Sequence, residues 1–134
     1  MDEKVPRLFR ILFEVSELDR AIAFYSALLD TAGRPIRGGR YYYDCGPVIL
    51  GLVDVSGEGR SARPTPEYVY LAVADLDEVH RRATALGCLS RDVVHGASAG
   101  EVAERPWGER SFYVEDPFGN LLCFVDDRTL FTGR

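Results

Sequence analysis

Val15-Ser16-Glu17-Leu18-Asp19 closes one alternating run and opens a helical one, and Val73-Ala74-Asp75-Leu76-Asp77 does the same later in the chain. Upstream of the first stretch, residues 8–15 set Ile11, Phe13 and Val15 against Arg10, Leu12 and Glu14. That period of two reads as a strand with one apolar and one mixed face. Downstream, Leu18, Ile22, Tyr25, Leu28 and Leu29 recur at helical spacing, which predicts an amphipathic helix over 17–30. Ser16, with an acid three residues on, reads as its N-cap, and Gly33 and Pro35 as its end. Around the second stretch, Val69, Leu71 and Val73 alternate with Tyr68, Tyr70 and Ala72. Asp75 then caps a helix striped by Leu76, Val79, Ala83 and Leu86, with Gly87 at the C-cap position.

Working outward, each strand–helix pair precedes three extended runs. In the first half these are 34–37, 40–44 and 47–54; in the second, 89–94, 109–115 and 120–126. Residues 55–66, with Gly57, Gly59, Ser61, Pro64 and Pro66, read as a linker. Residues 96–108 read as a loop, and Asp116-Pro117-Phe118-Gly119-Asn120 as a hairpin turn. Val15, Leu18, Asp19, Ala27 and Leu28 recur as Val73, Leu76, Asp77, Ala85 and Leu86, so the chain is an internal repeat. The expected class is α+β: one domain over 1–134, with module one at 8–54, linker 55–66, module two at 67–126 and tail 127–134.

Composition bounds the function. The 134 residues are 46% apolar and 28% charged, which excludes disorder and collagen-like sequence. No apolar run is long enough to span a bilayer, and Met1 to Lys4 lack the layout of a signal peptide. A net charge of −5 without a basic cluster argues against nucleic acid as a partner. Cys45, Cys88 and Cys123 are widely spaced and read as reduced thiols of a cytoplasmic protein.

The run Val15-Ser16-Glu17-Leu18-Asp19-Arg20-Ala21-Ile22-Ala23-Phe24-Tyr25 and the segment Trp107-Gly108-Glu109-Arg110-Ser111-Phe112-Tyr113-Val114-Glu115-Asp116-Pro117-Phe118-Gly119-Asn120 resemble the vicinal oxygen chelate superfamily. That group holds glyoxalases, extradiol dioxygenases and bleomycin-resistance proteins. In motif the chain looks most like the bleomycin-resistance and glyoxalase-like branches. The resemblance covers residues 8–126. It implies two βαβββ modules forming a curved eight-stranded mixed sheet around a cavity, with the helices outside. It also implies a homodimer, with the cavity built within one chain or between two.

The resemblance places the metal ligands of the superfamily's enzymes at Arg10, Gly51, Tyr68 and Cys123. Arginine is a permanent cation and glycine has no side chain, so the set does not suit a divalent ion. The expectation is no metal and no cofactor. His80 and His95 read as structural or surface residues. If Ile11 and Val69 pack under the helices, strand parity turns Arg10, Glu14, Tyr68, Tyr70 and Cys123 into the cavity. Tyr41 and Tyr43 share one face of their strand and add aromatic surface, and Trp107 and Arg110 border the loop expected over the cavity mouth. Arg10 is expected either to clamp a ligand carboxylate or phosphate, or to pair with an acid elsewhere or stack on Tyr68. Glu14 is either a base or a strand-end carboxylate bonded to a tyrosine. Trp107 is a ligand platform or the anchor of a lid. Cys123 lacks a histidine to activate it.

The favoured expectation is a metal-free protein, not an enzyme, that binds a small, partly aromatic molecule in the cavity. The alternatives are a metal-dependent or metal-free lyase or dioxygenase, and a non-catalytic interaction module whose cavity is filled.

Overall fold

The computed structural model describes residues 4–134. Met1 to Glu3, on which most of the signal-peptide reading rests, lie outside the described residues. The first half holds β1 (Arg10–Val15), α1 (Leu18–Leu29), β2 (Arg34–Ile36), β3 (Arg40–Cys45) and β4 (Val48–Asp54). These strands form one sheet in the order β1-β4-β3-β2, with β1 parallel to β4 and the other pairs antiparallel. The second half holds β5 (Val69–Val73), α2 (Leu76–Leu86), β6 (Val93–Val94), β7 (Ala97–Ser98), β8 (Ala103–Glu104), β9 (Arg110–Glu115) and β10 (Leu121–Asp126). Its sheet runs β5-β10-β9-β8, again with the first strand parallel to the last. The fold is α+β, and its eight principal strands are hydrogen-bonded as two four-stranded sheets of the same topology.

Local chemistry explains most of these boundaries. The Asp75 carboxylate accepts from the Glu78 N–H at 3.2 Å, and Gly87 ends α2 in the left-handed region. The first helix departs from expectation at both ends. Its N-cap is Glu17, without a side-chain bond, and it stops at Asp30, whose φ is 52°. Gly33 has another purpose: a Cβ there would sit 2.3 Å from the Tyr42 carbonyl oxygen. The expected run 89–94 also differs. It makes one bridge from Leu89 to Val114 and one arm of the β6–β7 hairpin, whose turn residues His95 and Gly96 both have positive φ. Residues 103–104 supply the fourth strand of the second sheet instead.

One apolar core serves both halves. Phe13, Val15, Tyr25, Leu28, Tyr43 and Leu52 join Leu76, Val79, Ala83, Phe112, Leu122 and Phe124 in a single buried cluster. Each helix covers one face of its own sheet, and the helices meet each other. Burying each large side chain contributes about 1.5–3 kcal/mol. A polar hub fixes the seam between the halves. The Tyr25 hydroxyl donates to Asp116 Oδ2 at 2.6 Å. The same buried carboxylate accepts from the Phe118 and Asn120 backbone N–H groups and from Asn120 Nδ2, each at 2.8 Å. Asn120 Nδ2 also donates to the Glu14 carbonyl at 3.0 Å, so the turn of one half holds the first strand of the other. Burial, then the Asp116 charge, pushes the Tyr25 hydroxyl well above its usual range. Among the described residues, no helix is long and apolar enough to cross a membrane.

Candidate functional site

The two faces turned away from the helices are equivalent in backbone and different in chemistry. Across the first sheet, register puts Leu12, Gly51 and Tyr42 in one row. Across the second it puts Tyr70, Cys123 and Tyr113 in the matching row. In the first row a Cβ at Gly51 would meet Leu12 Cδ2 at 2.6 Å and Tyr42 Cε1 at 2.9 Å. The glycine therefore lets a leucine and a tyrosine close over it. In the second row Cys123 is fully buried and packs with Tyr113, Val125 and Ala99, with Tyr68 and Val94 at the margin. Ala99 and Val94 come from the β6–β7 hairpin segment, so this row has a roof made by its own chain.

Arg10 lies at the edge of the first face. Its guanidinium carbon sits 5.0 Å from the Phe9 ring centroid and 5.6 Å from that of Tyr42, so its aromatic neighbours are these and not Tyr68. Glu14 is held by the linker. Arg60 donates to its two oxygens at 2.7 and 2.9 Å, and the Arg63 N–H donates at 2.9 Å. The Arg60 bonds first, then the Arg63 N–H, bring its carboxyl down to about 2. A carboxylate that acidic is a poor proton acceptor, and its partners are arginines rather than the expected tyrosine.

Tyr68 and Tyr70 both reach the second face. The Tyr68 ring meets Tyr113 edge to face at 4.6 Å, and Tyr70 is 59% exposed. Burial raises both hydroxyls above their usual range. It also pushes the Cys123 thiol up to about 11, against the opposing pull of Ser111, Tyr113 and the Arg105 charge. Cys123 is therefore neither exposed nor activated.

Three expected residues, Tyr43, Tyr41 and Arg110, point elsewhere. Tyr43 lies in the core beneath α1, with its hydroxyl 2.8 Å from Ser26 Oγ and donating to the Ile22 carbonyl. Tyr41 shares that side and accepts from the Gly33 N–H at 3.1 Å. The tyrosine of β3 on the open face is Tyr42, because it pairs with Gly51. Arg110 faces α2 and pairs with Asp77 at 2.7 Å and Asp126 at 3.6 Å. Trp107 donates to Glu109 at 2.7 Å and lies edge-on to His95 at 4.7 Å, which ties it to the loop. Pattern reading also passed over Arg105, which is 3% exposed against the Tyr113 ring.

An apolar cleft lies elsewhere again. It has a volume of about 500 Å³ and opens at the seam, between Ile11 and Leu50 on one side, Val69 and Leu71 on the other, and Leu28 and Val79 above. Two of its charged groups are already engaged: Arg82 donates to the Leu28 carbonyl at 3.0 Å, and Asp44 accepts from Arg34 at 2.9 Å. The cleft offers apolar surface with little to orient a ligand, whereas a recognition site needs a few convergent polar groups.

The chain matches the Glyoxalase/Bleomycin resistance protein/Dioxygenase superfamily over residues 7–124. It belongs to that superfamily. Solved structures agree on the fold. The oxidase ChaP-H1 is 22% identical with a TM-score of 0.76, covering 97% of this chain and 100% of its own. A glyoxalase-related enzyme from Fulvimarina pelagi is 18% identical with a TM-score of 0.73, covering 92% and 90% respectively. A bleomycin-binding protein solved in complex with bleomycin is 18% identical with a TM-score of 0.63, covering 91% and 98%. A search of the curated proteins finds no match to the chain. The superfamily's metal does not fit the residues present. Arg10, Gly51, Tyr68 and Cys123 give one fixed cation, no side chain, one phenol and one buried thiol. Among the described residues, no three His, Cys, Asp or Glu side chains form a metal-ligating group.

Proposed function

We propose that this protein is a metal-free binding protein that holds a small, partly aromatic molecule against the open faces of its two sheets. The observation that carries the reading is the donor set. Where superfamily metalloenzymes need converging oxygen or imidazole ligands, this chain has Arg10 lying by two rings and Cys123 closed in between Tyr70 and Tyr113. Rings and hydroxyls remain to recognise a ligand, and stacking on tyrosines suits a flat one. A bleomycin-binding protein of the same fold, solved in complex with bleomycin, supports a binding role.

A second copy of the chain completes the site in this reading. Leu8, Phe9, Leu12 and Tyr70 are exposed at or beside the edge strands and supply the apolar surface for that contact. The three unpaired cysteines fit a reducing cytoplasm. Thermal shift across a panel of aromatic antibiotics and metabolites, bleomycin included, tests the proposal. A saturable rise in Tm with at least one compound is expected. No stabilisation by any of them contradicts it.

A further inference from the structure

We propose that Arg105 is the anchor for an anionic group on the ligand, so that the second sheet's open face takes an aromatic carboxylate or phosphate. This rests on the ligand-binding reading above and names the chemistry of its ligand.

Arg105 is the buried cation among the described residues, at 3% exposure. Buried charges are ordinarily paired with an opposite charge. Yet no carboxylate of the described residues lies within ion-pair distance of it. Its Nε donates to Ser111 Oγ at 3.0 Å, and Nη2 donates to the Ser111 carbonyl at 2.9 Å and the Glu101 carbonyl at 3.2 Å. Nη1 is buried with no hydrogen-bond partner. All the acceptors present are neutral, and one donor of the fork is spare. A guanidinium with a free N–H matches a carboxylate or phosphate oxygen better than any neutral group.

The surroundings hold the fork in place. Arg105 opens a tight turn: its own N–H donates to the Glu109 carbonyl at 2.7 Å, and its carbonyl accepts from the Gly108 N–H at 2.8 Å. Its guanidinium carbon lies 5.1 Å from the Tyr113 ring centroid, which stops the side chain from swinging away. Tyr113 stands beside Cys123, and Cys123 beside the exposed Tyr70. The aromatic surface and the cation are thus neighbours on one face. Nη1 is covered in the free chain, so an arriving anion must displace the segment that covers it, and residues 99–101 pack nearest on that side. That segment is tied to the sheet by the Tyr113 N–H, which donates to the Ala99 carbonyl at 2.8 Å.

Benzoate and its neutral counterpart benzamide are the probes. Their effect on Tm is measured at fixed ionic strength with the wild type, Arg105→Gln and Arg105→Lys. The wild type is expected to respond to benzoate at a tenfold or more lower concentration than to benzamide. Arg105→Gln removes that preference and keeps the benzamide response. Arg105→Lys keeps the charge without the fork and shows a reduced preference. If Arg105→Gln does not fold, the lysine variant decides, because an unchanged benzoate response in it overturns the proposal. Equal responses of the wild type to both probes overturn the anion site and leave the ligand-binding reading standing. No response to either probe alongside a response to a compound of the wider panel overturns the anion site alone, and no response to any compound contradicts both readings.

Discussion

Leu12, Gly51 and Tyr42 stand in the first sheet where Tyr70, Cys123 and Tyr113 stand in the second, and only the second row is roofed by its own chain. The strand order and pairing are the same in both halves. The difference arises in the segments that leave the two helices. The first half goes directly into its β2–β3–β4 meander, and Leu12 is left 41% exposed. The second half spends residues 93–104 on a hairpin and a short edge strand that cover Cys123 and bury Arg105. A repeated fold thus supplies two equivalent platforms, and loop length decides which is covered by its own chain and which is left uncovered.

The strongest way to break this comparison is to release the seam that orients the two faces. Asp116→Ala removes the acceptor of Tyr25, Phe118 and Asn120 at once. Buried donors left unsatisfied cost about 1–3 kcal/mol each, so a loss of about 3 kcal/mol or more is expected in urea unfolding. The next test concerns the first row. Gly51→Val drives a branched side chain into Leu12 and Tyr42 and should destabilise by about 1–3 kcal/mol, read in the same titration. A neutral result would mean that the first face is not closed by those two side chains.

The roof over the second row can be sharpened with thiol chemistry. Cys45 is half-buried, and burial and then the Asp44 charge raise its thiol as well, while burial pushes Cys88 and Cys123 further, up to about 11. A disulfide reagent at pH 8 should modify Cys45 in the folded protein and all three thiols in urea. Mass spectrometry that finds Cys123 modified without denaturant would remove the roof from the account. The smallest effect is at the edge of the first sheet. The Glu14 carboxyl is held near 2 in the fold and titrates near its ordinary 4.5 when unfolded. Its folded value is the lower one, so its contribution is present above about 4.5 and disappears as pH falls through about 2. Glu14→Gln should be less stable than wild type at pH 6 and converge with it near pH 2.

The α+β repeat was legible because strand and helix periods differ and because Asp75 and Gly87 punctuate α2 by local chemistry alone. Superfamily membership could be read from the turn at Asp116 to Asn120, where the same residues that shape the hairpin also build the hub. The open faces were harder. Alternation divides Tyr41, Tyr42 and Tyr43 between two faces and does not say which one opens. That was settled by the row Leu12–Gly51–Tyr42, which needs the long-range pairing of β1 with β4 as well as the local one of β3 with β4. Arg110 turned to α2 for the same reason. The partners of Glu14 come from Arg60 and Arg63, far along the chain and without periodic signal. Arg105 sits in a loop where no pattern marks burial; its sole local hint was the adjoining Pro106-Trp107-Gly108 turn.

The central claim is that this superfamily member binds its ligand without a metal. The direct measurement is the metal content of protein expressed with added iron, manganese, nickel and zinc and purified without chelator. The account predicts far less than one ion per chain for every metal. One ion per chain, lost on mutation of Tyr68 and Cys123, would contradict it.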